Sequence, residues 1–277
     1  MIKNWLVRGD THGQFAWMEN GCLDNYKPEE TAIIILGDAG FNYYLNKFDD
    51  RRKAEVNARG YRFYCVKGNH CARPQGISGM QLIYDDEVNG EVYMEERFPN
   101  IRYFKDWGSY WIDGYSVAVI GGAYSVDKWH RLARFGVMSK LNPDYHNPKR
   151  TGWFPDEQLT EKEMEAAEKE FVNNYYDFVF THTCPIEWQP TDLFLGSVDQ
   201  STVDSSMELW LNEMKDIIGW GVWLFAHYHG DRLERPHVEM YYNDIESLDT
   251  IHKRWEKYDQ TGELDWYLAK SPKFYTS

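Results

Sequence analysis

Five apolar runs of this chain each stop at a short polar motif. Trp5-Leu-Val-Arg8 leads into Gly9-Asp10-Thr11-His12-Gly13, Thr31-Ala-Ile-Ile-Ile-Leu36 into Gly37-Asp38, and Tyr61-Arg-Phe-Tyr-Cys-Val66 into Gly68-Asn69-His70. Phe178-Val-Phe-Thr181 then runs into His182, and Val222-Trp-Leu-Phe225 into His227-Tyr228-His229. Short apolar runs bounded by turn residues predict buried strands. Residues 45–59 predict a charged crossover helix that stops at Gly60. A second helix is predicted from an Asp156 N-cap to Phe171, a third from Ser205 or Ser206 to Ile218, and a fourth over 245–258. Within 101–122, Tyr110-Trp-Ile112 and Tyr115-Ser-Val-Ala-Val-Ile120 flank Asp113-Gly114, a strong hairpin signal. Strands alternating with helices make an α/β fold. Residues 189–204 carry neither period and read as a long loop over the strand ends, and 245–277 as a C-terminal extension without a trusted period after Gln260.

The polar motifs span Asp10 to His229, so a domain boundary between them would split them, and 1–277 reads as a single domain. The chain has 277 residues, enough for a substantial core, and a formal net charge of −14. That charge disfavours capture of long DNA or RNA, which needs a basic footprint. Cys22, Cys65, Cys71 and Cys184 form no CxxC pair and read as free thiols of a reducing compartment. Neither a leader-like segment nor a membrane-length apolar stretch stands out, so the expectation is a cytoplasmic protein without a membrane partner. The 17% aromatic content is read as bulky packing.

Ligands of open α/β sheets bind beyond the carboxyl ends of strands, where distant parts of a chain converge. The motifs would bring Asp10, His12, Asp38, Asn69, His182, His227 and His229 there, a metal-ligand set. Each motif alone also fits an ordinary turn, cap or core role: Gly-Asp is a common turn dipeptide, and a lone His is often a satisfied core residue. His227-Tyr228-His229 is the strongest single signal, because alternate residues at a strand end project to the same side. The shared placement of all five motifs is what favours a metal site.

In order, Asp10-x-His12, Gly37-Asp38, Gly68-Asn69-His70, His182 and His227-x-His229 resemble the blocks of the calcineurin-like metallophosphoesterase family, over residues 9–229. Gly9-Asp-Thr-His-Gly-Gln-Phe15 and Gly68-Asn-His-x-x-Arg73 also resemble its Ser/Thr protein phosphatase branch. The resemblance implies an αββα sandwich of two mixed sheets flanked by helices, with two divalent metal ions. Asp10, His12, Asp38 and His229 would hold one, and Asp38, Asn69, His182 and His227 the other. Such ligands suit Mn, Fe, Zn or Co, with Mn favoured. The implied activity is hydrolysis of a phosphate ester, a small molecule or an exposed phosphoryl group, by a hydroxide that the two metals activate. His70 would be the general acid, while Asn69 and Arg73 bind substrate.

The chain also departs from that branch. Ala39-Gly40-Phe41-Asn42-Tyr43 stands where the branch has x-x-Asp-Arg-Gly after Gly-Asp, removing an acidic partner for the catalytic His and one phosphate-binding Arg. Cys71 replaces the usual Glu, and Ala226 a frequent Gly. Asp127 or Asp204 is left to orient His70. A nucleotide phosphodiesterase and a non-catalytic metal-binding scaffold of the same fold remain the alternative readings.

Overall fold

The computed structural model describes residues 1–139 and 152–264. One mixed sheet contains β1 (Asn4–Arg8), β2 (Thr31–Ile35), β3 (Arg62–Cys65), β4 (Met80–Asp85), β5 (Gly90–Glu95), β6 (Ile101–Phe104) and β13 (Ile245–Ser247), in the spatial order β13-β1-β2-β3-β6-β5-β4. The second contains β7 (Trp107–Ile112), β8 (Tyr115–Ile120), β9 (Tyr175–Thr181), β10 (Gly219–Phe225), β11 (Arg232–Arg235) and β12 (Val238–Met240), in the order β11-β12-β10-β9-β8-β7. Parallel pairs occupy the middle of each sheet and antiparallel pairs its edges. Every residue of β2 is buried, because both faces of a central parallel strand are covered, whereas edge strand β4 is largely open.

Among the described residues the α-helices are α1 (Lys47–Asn57), α2 (Lys128–Ser139), α3 (Glu161–Phe171), α4 (Ser206–Ile217) and α5 (Leu248–Thr261). Between the sheets, Val7, Ile34 and Tyr64 of the first meet Val117, Phe178 and Leu224 of the second, and Ile251 and Trp255 of α5 join this layer. Met164 and Phe171 of α3, with Trp210 and Met214 of α4, cover Val179 and Trp223 on the outer face of the second sheet. Val56 of α1, Phe15 and Met18 cover Ile33 and Phe63 on the other side. This is the expected αββα sandwich. Each such fully buried side chain contributes roughly 1.5–3 kcal/mol, so the strand ends project from a stiff platform.

The Asp113-Gly114 turn takes positive φ at both positions, 54° and 85°, and joins β7 to β8 as predicted. Two expectations shift and one is refined. Residues 101–122 are β structure as expected, and the chain changes sheet within them, between β6 and β7. The helix expected from Asp156 starts at Glu161, because Thr160 and Glu163 form a reciprocal capping box. Residues 245–247 are strand, paired antiparallel with β1, and helix follows only from Leu248. The β4–β5 hairpin and α2 were not anticipated. The part of the C-terminal extension after residue 264 lies outside the described residues.

Candidate metal centre

All seven anticipated ligands lie just beyond strand carboxyl ends: Asp10 and His12 after β1, Asp38 after β2, Asn69 after β3, His182 after β9, His227 and His229 after β10. Four of them hold left-handed backbone, His12 at φ 46°, Asp38 at 47°, His227 at 70° and His229 at 56°. Each costs roughly 1–3 kcal/mol in a non-glycine residue and concentrates at functional sites. The motif glycines have a packing reason as well. A Cβ on Gly37 would stand 2.0 Å from His182 Nδ1, and one on Gly68 2.0 Å from Asp38 Oδ1. Gly37-Asp38 and Gly68-Asn69 are therefore more than turn dipeptides, since their glycines let neighbouring strand ends touch.

Two overlapping groups of donor atoms could each hold a metal ion, Asp10 with His12 and His229, and Asp10 with Asp38 and His182. In the first, His12 Nε2 and His229 Nε2 are 2.9 Å apart, and Asp10 Oδ2 lies 3.2 Å from His229 Nε2 and 3.6 Å from His12 Nε2. Asp10 Oδ2 is buried and has no directed hydrogen bond among the described residues. In the second, His182 Nε2 is 3.7 Å from Asp38 Oδ2, and His182 Nδ1 is 3.8 Å from Asp10 Oδ1. Asp38 Oδ2 also lies 3.9 Å from His12 Nδ1, which puts this carboxylate between the groups. His227 belongs to neither group, but its ring stands 4.9 Å from that of His182. Asp10, Asp38 and His182 are buried while His12 and His229 form an open rim, so the centre faces solvent on one side.

The tautomer of His182 tests whether these residues suit a cation. Its Nδ1 faces the Leu36 carbonyl at 2.8 Å and donates there. Its Nε2 faces Asn69 Oδ1 at 2.9 Å. The amide cannot simply turn over, because Asn69 Nδ2 donates to Ser125 Oγ at 2.8 Å and Ser125 donates to Glu157. Two acceptors held this close need a cation, a proton or a metal, to share. The donor set fits the metal, with three of the ligands fixed from behind as metal sites require: His182 by Leu36, Asn69 by Ser125, and His229 by Tyr242, whose ring stacks on it at 4.6 Å.

The charges agree. Burial works against ionised Asp10, but His182 and the contacts to His12 and His229 outweigh it and hold the carboxyl well below its ordinary range. Burial, reinforced by His182, lowers His227 to about 3, which leaves it a neutral lone-pair donor.

His70 stands beside this centre. Its backbone N–H donates to Asp38 Oδ1 at 2.8 Å, while its buried Nδ1 has no hydrogen-bond partner among the described residues. Burial lowers its pKa; Asp38 and Asp127 oppose that shift, and Arg131 and His12 reinforce it. Asp127 lines the same cavity as His70, and its occluded Oδ1 is likewise unpartnered among the described residues. Asp204 is engaged elsewhere, accepting from the Ser206 N–H at the start of α4. Arg131 donates through Nε to Asp127 and through Nη1 to Tyr43 and the Gly152 carbonyl, and Tyr43 stands edge-on to His70 at 6.3 Å.

Arg73 does not belong here. Its guanidinium forks onto Glu163, reaches Asp106 at 3.1 Å, and binds the carbonyls of Asp156 and Gln158. Its expected phosphate contact is corrected accordingly: a fork filled by carboxylates ties the loop after β3 to α3 and is not free for an anion.

Five of the candidate ligands, Asp10, Asp38, Asn69, His227 and His229, line a cavity of about 260 Å³. Leu193, Phe194, Leu195, Val198 and Val203 of the long loop line its other side. A wider groove of about 670 Å³ over α1 is lined by none of the candidate ligands. Sequence reasoning missed Ser125, Glu157, Arg131 and Glu208. Gly121-Gly-Ala-Tyr-Ser125 follows β8 as the other motifs follow their strands, but it carries no His or Asp to draw notice.

No family model matches the sequence. No curated protein matches it. Among solved structures, a phosphopantetheinyl hydrolase from Mycobacterium tuberculosis aligns with a TM-score of 0.39 and 11% identity, covering 95% of this chain and 94% of that one. The sulfate thiohydrolase SoxB from Thermus thermophilus gives 0.32 and 16%, covering 82% of this chain and 36% of the other. The calcineurin-like phosphoesterase YfkN from Bacillus subtilis gives 0.33 and 10%, covering 86% and 80%. Likeness at this level carries no functional inference.

Proposed function

We propose that this protein is a calcineurin-like, metal-dependent phosphoesterase. The observation that carries the reading is the 2.9 Å approach of His182 Nε2 to Asn69 Oδ1, in a nest of seven ligand side chains drawn from five strand ends. Asp10, His12, Asp38 and His229 would hold one divalent ion, and Asp38, Asn69, His182 and His227 a second, with Asp38 shared. Two such ions would supply an activated water and offset the charge on the phosphoryl oxygens.

The chain's own groups then divide the work. His70 hands a proton to the departing oxygen, and Asp127 holds the ring for that transfer. Arg131 takes the anion-binding role that Arg73 cannot fill, offering a guanidinium anchored by Asp127 and Tyr43. With one such cation near the centre, a diester, which carries less charge than a monoester, is the favoured substrate. The phosphodiesterase reading rests on that count.

The test is metal-free protein reloaded with Mn²⁺ and assayed on p-nitrophenyl phosphate and bis-p-nitrophenyl phosphate, beside Asp38→Ala and His229→Ala. Metal-dependent turnover lost in both variants supports the reading. Near-normal activity in either variant would sink it, and full metal occupancy without hydrolysis would turn it into a binding scaffold.

A further inference from the structure

The cavity has two chemically different walls. One carries the ligand side chains and His70; the other is apolar, built from Leu193, Phe194, Val198 and Val203 of the long loop with Tyr124 and Tyr228. The Phe194 ring lies nearly parallel to that of Tyr228, 21° between planes at 6.1 Å. At about 260 Å³ the space is on the scale of one small molecule, just under the roughly 300–1,000 Å³ usual for ligand sites.

The apolar wall contains one buried acid. Glu208, in the first turn of α4, lines the cavity and is 3% exposed. Its Oε1 accepts from Thr183 Oγ1 at 2.7 Å, and its Oε2 is buried without a partner among the described residues. The surrounding donors are committed: Thr183 and Tyr228 share a hydrogen bond of 2.9 Å, and Gln189 Nε2 donates to the Tyr228 hydroxyl at 3.1 Å. A carboxylate oxygen left bare in an apolar recess is costly, and a ligand's donor removes that cost. Thr183 follows His182, and Tyr228 separates His227 from His229, so this recess is built into the same loops as the proposed metal ligands.

We propose that this recess receives the leaving-group side of the ester, a flat, largely apolar group that presents an N–H or O–H donor to Glu208 Oε2. The assignment rests on the phosphoesterase reading for the word ester, but not for the recognition itself. Burial raises the Glu208 carboxyl to about 7 despite the Thr183 hydrogen bond, so at pH 8 it stands as the acceptor this requires. A site built around a hydrogen bond discriminates strongly against an analogue that lacks the donor. An aryl group and a nucleobase share this chemistry.

Calorimetric titration of the Mn²⁺-loaded protein at pH 8 tests the idea without needing turnover. One matched pair is phenylphosphonate against 3-aminophenylphosphonate. The other is purine riboside 5′-monophosphate against guanosine 5′-monophosphate, which adds N–H donors. In at least one pair the donor-bearing member should bind at least tenfold more tightly, and the pair that discriminates names the source. Glu208→Leu should bring that ratio close to one, and Glu208→Gln, which keeps the shape and loses the charge, should reduce it. Ratios within twofold for both pairs in the wild type would overturn the proposal without any variant. A ratio that survives both substitutions would do the same. Discrimination in a protein that hydrolyses nothing would retire the esterase reading and keep this one.

Discussion

Replacing Glu208 by Gln should change how stability depends on pH. Burial lifts this carboxyl from the ordinary glutamate value of 4.5 to about 7 in the folded protein. Below pH 4.5 it is neutral in both states and costs nothing. Between 4.5 and 7 the unfolded chain gives up its proton first, so stability falls as pH rises; above 7 the group is ionised in both states and the whole penalty stands. At 1.36 kcal/mol for each tenfold change, the penalty is on the order of 3 kcal/mol, most of it appearing between pH 5 and pH 8. Glutamine removes this dependence and leaves the other titrating groups in place. Urea unfolding of the wild type and Glu208→Gln, both in EDTA so that no cation pulls the carboxyl back down, should show the variant gaining about 2–3 kcal/mol relative to wild type from pH 5 to pH 8. A difference that stays constant to within about 0.5 kcal/mol across that range would mean that the carboxyl is well solvated or already paired. The account of the apolar recess would then lose its footing.

Four further outcomes are expected. Gly37→Ala places a methyl 2.0 Å from His182 Nδ1 at a φ of 111°, and should weaken Mn²⁺ binding by about 10–100-fold; unaltered affinity by calorimetry would refute the packing argument. Arg73→Ala strands Glu163 and the 5% exposed Asp106 side chain and should cost about 3 kcal/mol in urea unfolding. Its kcat/KM should nevertheless stay within about twofold, and a large loss from folded protein would return Arg73 to the substrate. Arg131→Ala should lower kcat/KM on a model ester by about 10–100-fold, and Arg131→Lys, lacking the fork, should fall between; full activity in the alanine variant would remove Arg131 from the site. Shortening the loop by deleting 195–198 should change the ratio of rates among esters while metal stoichiometry holds, and identical ratios would show that the loop does not touch substrate.

The strand-end motifs were legible because strands that are apolar on both faces make their polar endings conspicuous, as Ile33, Ile34 and Ile35 do before Gly37-Asp38. Local chemistry also carried the Asp113-Gly114 hairpin and α1, whose start is fixed by the Asn46 side chain accepting from the Phe48 N–H. The rest was set by distant partners. Ile245–Ser247 reads as helix until β1 offers it an open edge. Asp156 looks like a helix cap, but Thr160 and Glu163 cap each other and fix the start four residues later. Arg73 sits at the spacing of a phosphate ligand, and only Glu163, 90 residues away, reveals where its charge goes. Glu208 gave no signal, since an acid in a helical first turn is ordinary until its surroundings are known.

His229 and Asp10 meet across 219 positions of the chain, and β13, which closes the sheet beside β1, comes later still. A nascent chain that has delivered Asp10, Asp38 and Asn69 holds only part of the donor set and lacks the strands that force its backbone into left-handed turns. Assembly of the full donor set therefore waits until residue 247 has left the ribosome, so a metal bound by all of it would report a long-range fold and not a local motif.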